Sequence, residues 1–337
     1  MDPIFEILIK VLVVTVVALT GFAYLTLLER KFIGRLQSRI GPNRAGPFGL
    51  LQPLAEAIKL IFKESSTPAM ADKPIYFLAP ILAVVPAIMI FAFVPFGPGD
   101  IFQIGAKVPV AVILLAAIIG TAAYGVALAG WASNNKYATL GGMRAAAQVV
   151  SYELAMGLAM VAVVLMAGAA SMTEIVEKQL GYNVLSWYIV RQPVAAAIFA
   201  ITALAELARA PFDLVEAEQE LTAGYITEYG GMKFALFFMS EYMKMIGLSA
   251  LFVTFFLGGW DGPFASTPSA LGAALGVIYF TIKVLACLLL MVLVRATLPR
   301  VRYDKLMGFG WKRLMPIALA NVVVTAALIV TGVPGYK

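Results

Sequence analysis

Residues 145–170 read AAAQVVSYELAMGLAMVAVVLMAGAA, a run of 26 residues with one charged side chain, Glu153. A membrane-spanning helix needs about 20 mainly apolar residues, and a run of this length without alternation reads as a helix that crosses the bilayer. The chain around it has the same character. Of 337 residues, 61% are hydrophobic and 13% charged, where a soluble domain has about half and about a quarter. This composition excludes an ordinary water-soluble enzyme and a disordered chain. Seven further runs qualify as spans: 4–28, 75–94, 108–132, 193–208, 234–258, 271–294 and 315–332. The first is too long for a signal-peptide core and is read as a retained helix. No strand alternation of the kind a transmembrane barrel needs is seen. The expected fold is an all-α integral membrane protein with eight transmembrane helices, forming a single membrane domain over 1–337.

The basic residues orient this bundle. Of 25 Lys and Arg, 18 fall in the loops after the odd-numbered spans. These are Arg30, Lys31, Arg35, Arg39, Arg44, Lys59, Lys63 and Lys73, then Lys136 and Arg144, Arg209 and Lys233, and finally Arg295, Arg300, Arg302, Lys305, Lys312 and Arg313. Positive charge marks the cytoplasmic side. The odd loops are therefore expected inside and both termini outside, which agrees with an even number of spans. The net charge of +6 follows from this bias. No basic face interleaved with stacking aromatics is seen, so no nucleic-acid partner is expected.

Two scarcities limit the chemistry. The chain has no histidine and one cysteine, Cys287. Without histidine there is no histidine-zinc site, bis-histidine haem or Ser-His-Asp triad. One cysteine cannot hold an iron–sulfur cluster or close an internal disulfide. No metal site is expected, and Cys287, mid-helix among leucines, reads as packing.

Three inside loops are longer or more charged than connectors need to be. In the first, from Glu29 to Pro74, residues 50–62 carry Leu50, Leu51, Leu54, Ile58, Ile61 and Phe62 at helical spacing. Gln52, Glu56, Lys59 and Lys63 occupy the other side. The segment is too short and too charged to span, so it is expected to lie along the membrane surface. It either caps the bundle or floors a site where an amphiphilic substrate leaves the lipid. The loop after residue 208 gathers Asp213, Glu216, Glu218, Glu220 and Glu228. Glu216 and Glu220 are four apart and share a face in a helix. The segment 295–306 is strongly basic, as an anchor or as a docking surface for a soluble partner.

Charge at depth is the observation with most chemical content. Glu153 lies nine residues past Arg144, ~13–14 Å along a helix and near the middle of a core about 30 Å thick. Glu241 lies eight residues past Lys233, about 12 Å in. Glu206 is one turn inside Arg209, and Lys244 and Lys283 are also deep. An ionised side chain at the bilayer centre costs at least about 2.5–3.5 kcal/mol, so such residues pair, face water or carry protons. Glu241 with Lys244 and Glu206 with Arg209 are at pairing distance along one helix. Glu153 has no basic residue three or four positions away. The acids as a set are read as a proton pathway. Phe237-Phe238, one turn before Glu241, either lines an apolar cavity or packs helices. Gly141-Gly142 and Gly230-Gly231 read as helix-entry turns.

Several of these stretches together resemble one family. Leu28-Glu29-Arg30-Lys31, Gln37-Ser38-Arg39-Ile40-Gly41-Pro42-Asn43, Gly49-Leu50-Leu51-Gln52-Pro53, Gly130-Trp131-Ala132-Ser133-Asn134, Gln148 through Glu153, Ala205-Glu206, Glu241-Tyr242 and Pro299 through Asp304 occur in the order found in the H-type membrane subunit of bacterial NADH:quinone oxidoreductase, respiratory complex I. The mitochondrial equivalent is NADH dehydrogenase subunit 1. The likeness covers nearly the whole chain. It implies a subunit at the joint between a peripheral electron-transfer arm and a membrane proton-pumping arm. By motif, Arg30, Arg39, Glu56, Phe238 and Arg295 would line or guard a quinone chamber. Glu153, Glu206, Glu216, Glu218, Glu220 and Glu241 would form an acid path leading away from it. Arg144, Arg209 and Asp213 would orient the acids. The family often has Asp where this chain has Glu56, which keeps the charge and lengthens the reach.

The resemblance also implies that this chain binds no redox cofactor and that quinone is the substrate. FMN and iron–sulfur clusters would sit in partner subunits. Those partners would be peripheral iron–sulfur and quinone-site subunits, small membrane subunits and antiporter-like subunits, within a bacterial cytoplasmic membrane. Two rivals remain: the related anchor of a membrane-bound hydrogenase or ferredoxin-dependent oxidoreductase, and a stand-alone proton or cation transporter.

Overall fold

A computed structural model describes residues 3–181, 184–215, 222–265 and 269–333, and among these there is no β-strand. The helices are α1 (Pro3–Leu36), α2 (Gln52–Phe62), α3 (Lys73–Phe93), α4 (Ala111–Ala132), α5 (Lys136–Ala167), α6 (Met172–Glu177), α7 (Tyr188–Arg191), α8 (Pro193–Glu206), α9 (Gly231–Phe256), α10 (Ala270–Thr297), α11 (Tyr303–Phe309) and α12 (Met315–Val330). Seven are long and apolar enough to cross a membrane, counting α11 and α12 as one continuous rod of 28 residues, Tyr303–Val330. The remaining expected span is α8. Its 14 residues reach only about 21 Å, less than the hydrocarbon core. It stops at Glu206 because the backbone turns at Ala208, whose φ is 50, and Pro211 follows.

Three boundaries differ from the sequence reading. The first helix runs eight residues past Leu28, so Glu29 and Arg30 sit on α1 and not in the loop. Glu, Arg and Lys are good helix formers, and no proline stops the helix before Pro42. The fourth long helix begins at Lys136, because the Asn135 side chain accepts from the Tyr137 amide and caps it there. Gly141 and Gly142 are therefore inside α5. They pack closely against Gly130 and Gly224 and make no turn. The last rod begins at Tyr303 and passes through a π-helical turn at Gly310–Leu314, a feature that periodicity does not reveal.

Helix α5 is central, packed on α4, α8 and the α12 rod. Membrane helices approach closely where residues are small. At Gly125 of α4, a Cβ would come 2.7 Å from the Ala83 amide nitrogen of α3. Polar side chains bind the crossings. Buried Gln148 of α5 donates to the Ala205 carbonyl at 2.8 Å and the Phe212 carbonyl at 2.9 Å. Tyr152 donates to the Leu306 carbonyl at 2.8 Å. The surface helix α2 leaves Leu54, Ile58, Ile61 and Phe62 uncovered, as suits a helix whose apolar side faces lipid.

Candidate functional site

The deep charges come together where α1, α5, α8, α9 and α10 converge. Glu29 of α1 is 3% exposed, Glu206 at the end of α8 3%, Arg209 just beyond it 6%, and Lys244 of α9 8%. Because Ala208 turns the chain, Arg209 points across the bundle and not down its own helix. Its Nη1 donates to Glu29 Oε2 at 3.1 Å, and its Nε donates to Glu241 of α9. Its guanidinium lies 4.0 Å from the centroid of the Tyr242 ring. Burial opposes the charge on Arg209, and the carboxylates of Glu241 and Glu29 compensate it. Glu29 also accepts from Arg295 of α10. An unbroken ladder thus runs Arg295, Glu29, Arg209, Glu241.

A second pair lies one turn along α9. Lys244 donates to Glu206 Oε1 at 3.4 Å, while Glu206 Oε2 is buried without a hydrogen-bond partner among the described residues. Glu153 of α5 is within electrostatic reach of both Lys244 and Glu206, and makes no ion pair among the described residues. These findings correct the pairings read along single helices. Glu241 does not pair with Lys244, nor Glu206 with Arg209; the partners are exchanged between helices. Residues three or four apart share a face, but each carboxylate here meets a cation from another element at shorter range. Of these seven side chains, four are carboxylates (Glu29, Glu241, Glu206, Glu153) and three are cations (Arg295, Arg209, Lys244).

The other site residues are spread around this centre. Arg30 pairs with Glu56, tying α1 to α2, and Gln52 donates to the same carboxylate at 3.0 Å. Phe238 is half-buried, its ring 4.7 Å from that of Tyr242 and 6.0 Å from that of Phe234. Phe237 is fully buried against Tyr225 and Tyr229 and serves packing. Arg39 is exposed beyond the end of α1, Arg144 is half-buried with its guanidinium 5.9 Å from the Tyr303 ring, and Asp213 is half-buried. Glu216, Glu218 and Glu220 lie outside the described residues. Glu29 is the buried acid that sequence reasoning misses. The apolar run ends at Leu28, so Glu29 reads as the first loop residue, and only the continuation of α1 shows that it is buried.

An apolar groove of about 570 Å³ opens between α1, α3 and α10, lined by Gly21, Leu25, Leu28, Phe91, Val284 and Leu288 among others. None of Arg30, Arg39, Glu56, Phe238 and Arg295 lines it, but it reaches Leu28, next to Glu29. Lys283 has no place in the acid centre. Its ammonium donates to the Leu257, Gly259 and Asp261 carbonyls and lies 4.2 Å from the Trp187 ring. Among the described residues no three His, Cys, Asp or Glu side chains gather to hold a metal ion.

A bundle of long apolar helices with a ladder of alternating charges buried between them defines a multi-pass integral membrane protein. Comparison with known sequences gives the family. A model described as NADH dehydrogenase matches residues 9–326. The second H-type subunit of the NADH-quinone oxidoreductase of Syntrophobacter fumaroxidans is 48% identical, over 94% of this chain and 94% of its own. The second H-type subunit of Geobacter sulfurreducens is also 48% identical with the same coverage. The H-type subunit of Deinococcus radiodurans is 46% identical over 96% of this chain and 82% of its own. The chain belongs to the NADH dehydrogenase family, among the H-type membrane subunits of an oxidoreductase complex.

Proposed function

We propose that this chain walls much of a quinone chamber and carries protonation changes from it through its buried carboxylates. The observation that carries this reading is the ladder Arg295–Glu29–Arg209–Glu241 beside Lys244–Glu206 and Glu153. It links Arg295, partly exposed near the end of α10, to charges buried in the middle of the bundle. Buried charges in membrane helices mark ion and proton routes when they are linked to one another. With four carboxylates to three cations, the cluster has room for one exchangeable proton. Glu206 Oε2, buried without a hydrogen-bond partner among the described residues, is an oxygen able to receive it.

Electrons reach the chamber through FMN and iron–sulfur clusters held by the peripheral partners. Reducing a quinone to a quinol takes two electrons and two protons. Arg30 and Glu56 hold α2 against α1 at the floor, and Phe238, Arg39 and Arg295 flank the headgroup's path. When the reacting quinone draws protons, the charge on the Glu29 side of the ladder changes. Neighbouring carboxylates respond because an ion's protonation depends on the charges beside it. By sequence motif, Glu216, Glu218, Glu220 and Asp213 are assigned to the continuation of the path and Arg144 to orienting its acids, and antiporter-like and small membrane subunits receive it. The positive-inside bias supports a bacterial cytoplasmic membrane location, and with the short α8 completing eight crossings both termini lie on the periplasmic face.

The test is made on the assembled complex. NADH-driven quinone reduction and proton pumping are measured in membrane vesicles carrying Glu153→Gln or Glu241→Gln. Coupled turnover is expected to fall in both. Wild-type reduction and pumping in both variants would overturn the assignment.

A further inference from the structure

Helix α4 faces Glu153 with a glycine. A Cβ built on Gly120 would lie 3.2 Å from Glu153 Cδ and 3.3 Å from its Oε2, and would overlap its Oε1. The carboxylate therefore occupies the volume that any other residue at 120 would fill. The atoms in conflict are the far end of a flexible side chain, with no backbone among them. Gly120 is not at a turn: it lies within α4, with an ordinary helical backbone. Glycine inside a helix is unfavourable by about 0.8–1.0 kcal/mol relative to alanine, so it has a use there. Elsewhere on α4 that use is close helix contact, as at Gly125. At Gly120 it is space for one carboxyl group.

We propose that Gly120 is a positioning residue for Glu153, providing a niche on α4 that holds the carboxylate away from Lys244. The inference rests on the proton-path reading of Glu153. The charged groups facing Glu153 are Lys244 of α9 and Glu206 of α8. Lys244 already serves Glu206, and Glu153 stands near both without an ion pair among the described residues. While the niche is open, Glu153 is poised to exchange a proton with the Lys244–Glu206 pair but is not neutralised by it. A methyl group in the niche leaves the backbone in place and drives the carboxylate out, which changes its distance from Lys244 and Glu206, the charged groups that act on it.

The test compares Gly120→Ala, Gly120→Ala with Glu153→Asp, Glu153→Asp and Glu153→Gln in the assembled complex. NADH-driven proton pumping is read against pH and normalised to reduction of an artificial acceptor by the peripheral subunits. Gly120→Ala is expected to lower coupled turnover by up to about a hundredfold, the loss that ångström-scale misplacement can cause, and to displace its pH profile. Glu153→Asp is one methylene shorter and withdraws from the added methyl, so the double variant is expected to exceed Gly120→Ala in assembly or in turnover. Wild-type turnover and pH profile in Gly120→Ala, with Glu153→Gln impaired, overturns the niche and leaves the proton-path reading standing. A loss in Gly120→Ala that Glu153→Asp does not relieve, with the pH profile unmoved, assigns Gly120 to helix packing and also overturns it. Unimpaired coupling in Glu153→Gln overturns the underlying reading itself.

Discussion

Arg209 donates to Glu29 at 3.1 Å across 180 residues of sequence, with both side chains almost wholly buried. This contact fixes the end of α8 to the inner part of α1. Through Glu241 and Arg295 it also engages α9 and α10. Four elements thus depend on one guanidinium–carboxylate junction for their register. Breaking a buried ion pair from one side leaves a charge without compensation and costs about 3–5 kcal/mol.

Glu29→Gln and Arg209→Gln are each expected to lower the thermal stability of the assembled complex by that order. Their effects overlap, because both remove the same contact. A double-mutant cycle should show a coupling energy of roughly 0.5–3 kcal/mol. Strict additivity of the two losses would mean that the junction contributes nothing as a pair.

The exchange of partners between α8 and α9 gives a sharper test. Lys244 serves Glu206 and not Glu241, its neighbour on α9. Lys244→Met leaves the Glu206 carboxylate buried without a cation. Adding Glu206→Gln removes that charge, and replacing both members of a buried pair is often nearly neutral. The double variant should therefore recover most of the assembly lost in Lys244→Met, measured as complex yield from membranes. Adding Glu241→Gln to Lys244→Met should deepen the loss, because it strips Arg209 of a partner. Rescue by Glu241→Gln in place of Glu206→Gln contradicts the observed pairing.

Glu153 belongs to no ion pair among the described residues, and Gln is nearly its shape. Glu153→Gln is therefore expected to leave the stability of the complex close to wild type while coupled turnover falls. Thermal unfolding and NADH-driven pumping of the same preparation check the two halves. A large stability loss would give Glu153 a structural role that its surroundings do not suggest.

Much of the architecture was legible in the residues. Length and apolarity located every long helix, because in lipid the backbone must satisfy itself and only a helix does so locally. The spacing of Leu54, Ile58 and Ile61 marked the surface helix. Counting residues from Arg144 and Lys233 put Glu153 and Glu241 well inside long helices, where the structure also has them. The pairing of the charges was hidden, because it depends on how separate helices lie against one another. Local spacing offered Glu241–Lys244 and Glu206–Arg209, and the turn at Ala208 redirected Arg209 to Glu241 and Glu29. The importance of Glu29 was hidden by the assumption that a helix ends where its apolar run ends. The niche at Gly120 needed a neighbour 33 positions away, and no pattern within either helix points to it.

Lys283 reads from the sequence as a deep charge with no assigned role, and its contacts give it one. An ammonium has three N–H donors, and all three go to main-chain carbonyls: Leu257 at 2.7 Å, Gly259 at 3.1 Å and Asp261 at 2.8 Å. These carbonyls belong to the end of α9 and the turn after it, where the helix leaves acceptors unpaired and favours a cation. Trp187 covers the ammonium and donates to Asp261 Oδ2 at 3.0 Å. Hydrogen bonds to a charged group are worth about 1.5–3 kcal/mol each. Lys283→Met therefore strands three carbonyls and frees the turn. Amide hydrogen exchange of residues 257–265 should accelerate by on the order of a hundredfold or more, since each 1.4 kcal/mol is about tenfold. Coupled turnover per assembled complex should stay at the wild-type level, because Lys283 touches none of the buried carboxylates of the ladder. A loss of coupling with unchanged exchange at this turn would assign Lys283 to the proton path and remove it from the clasp.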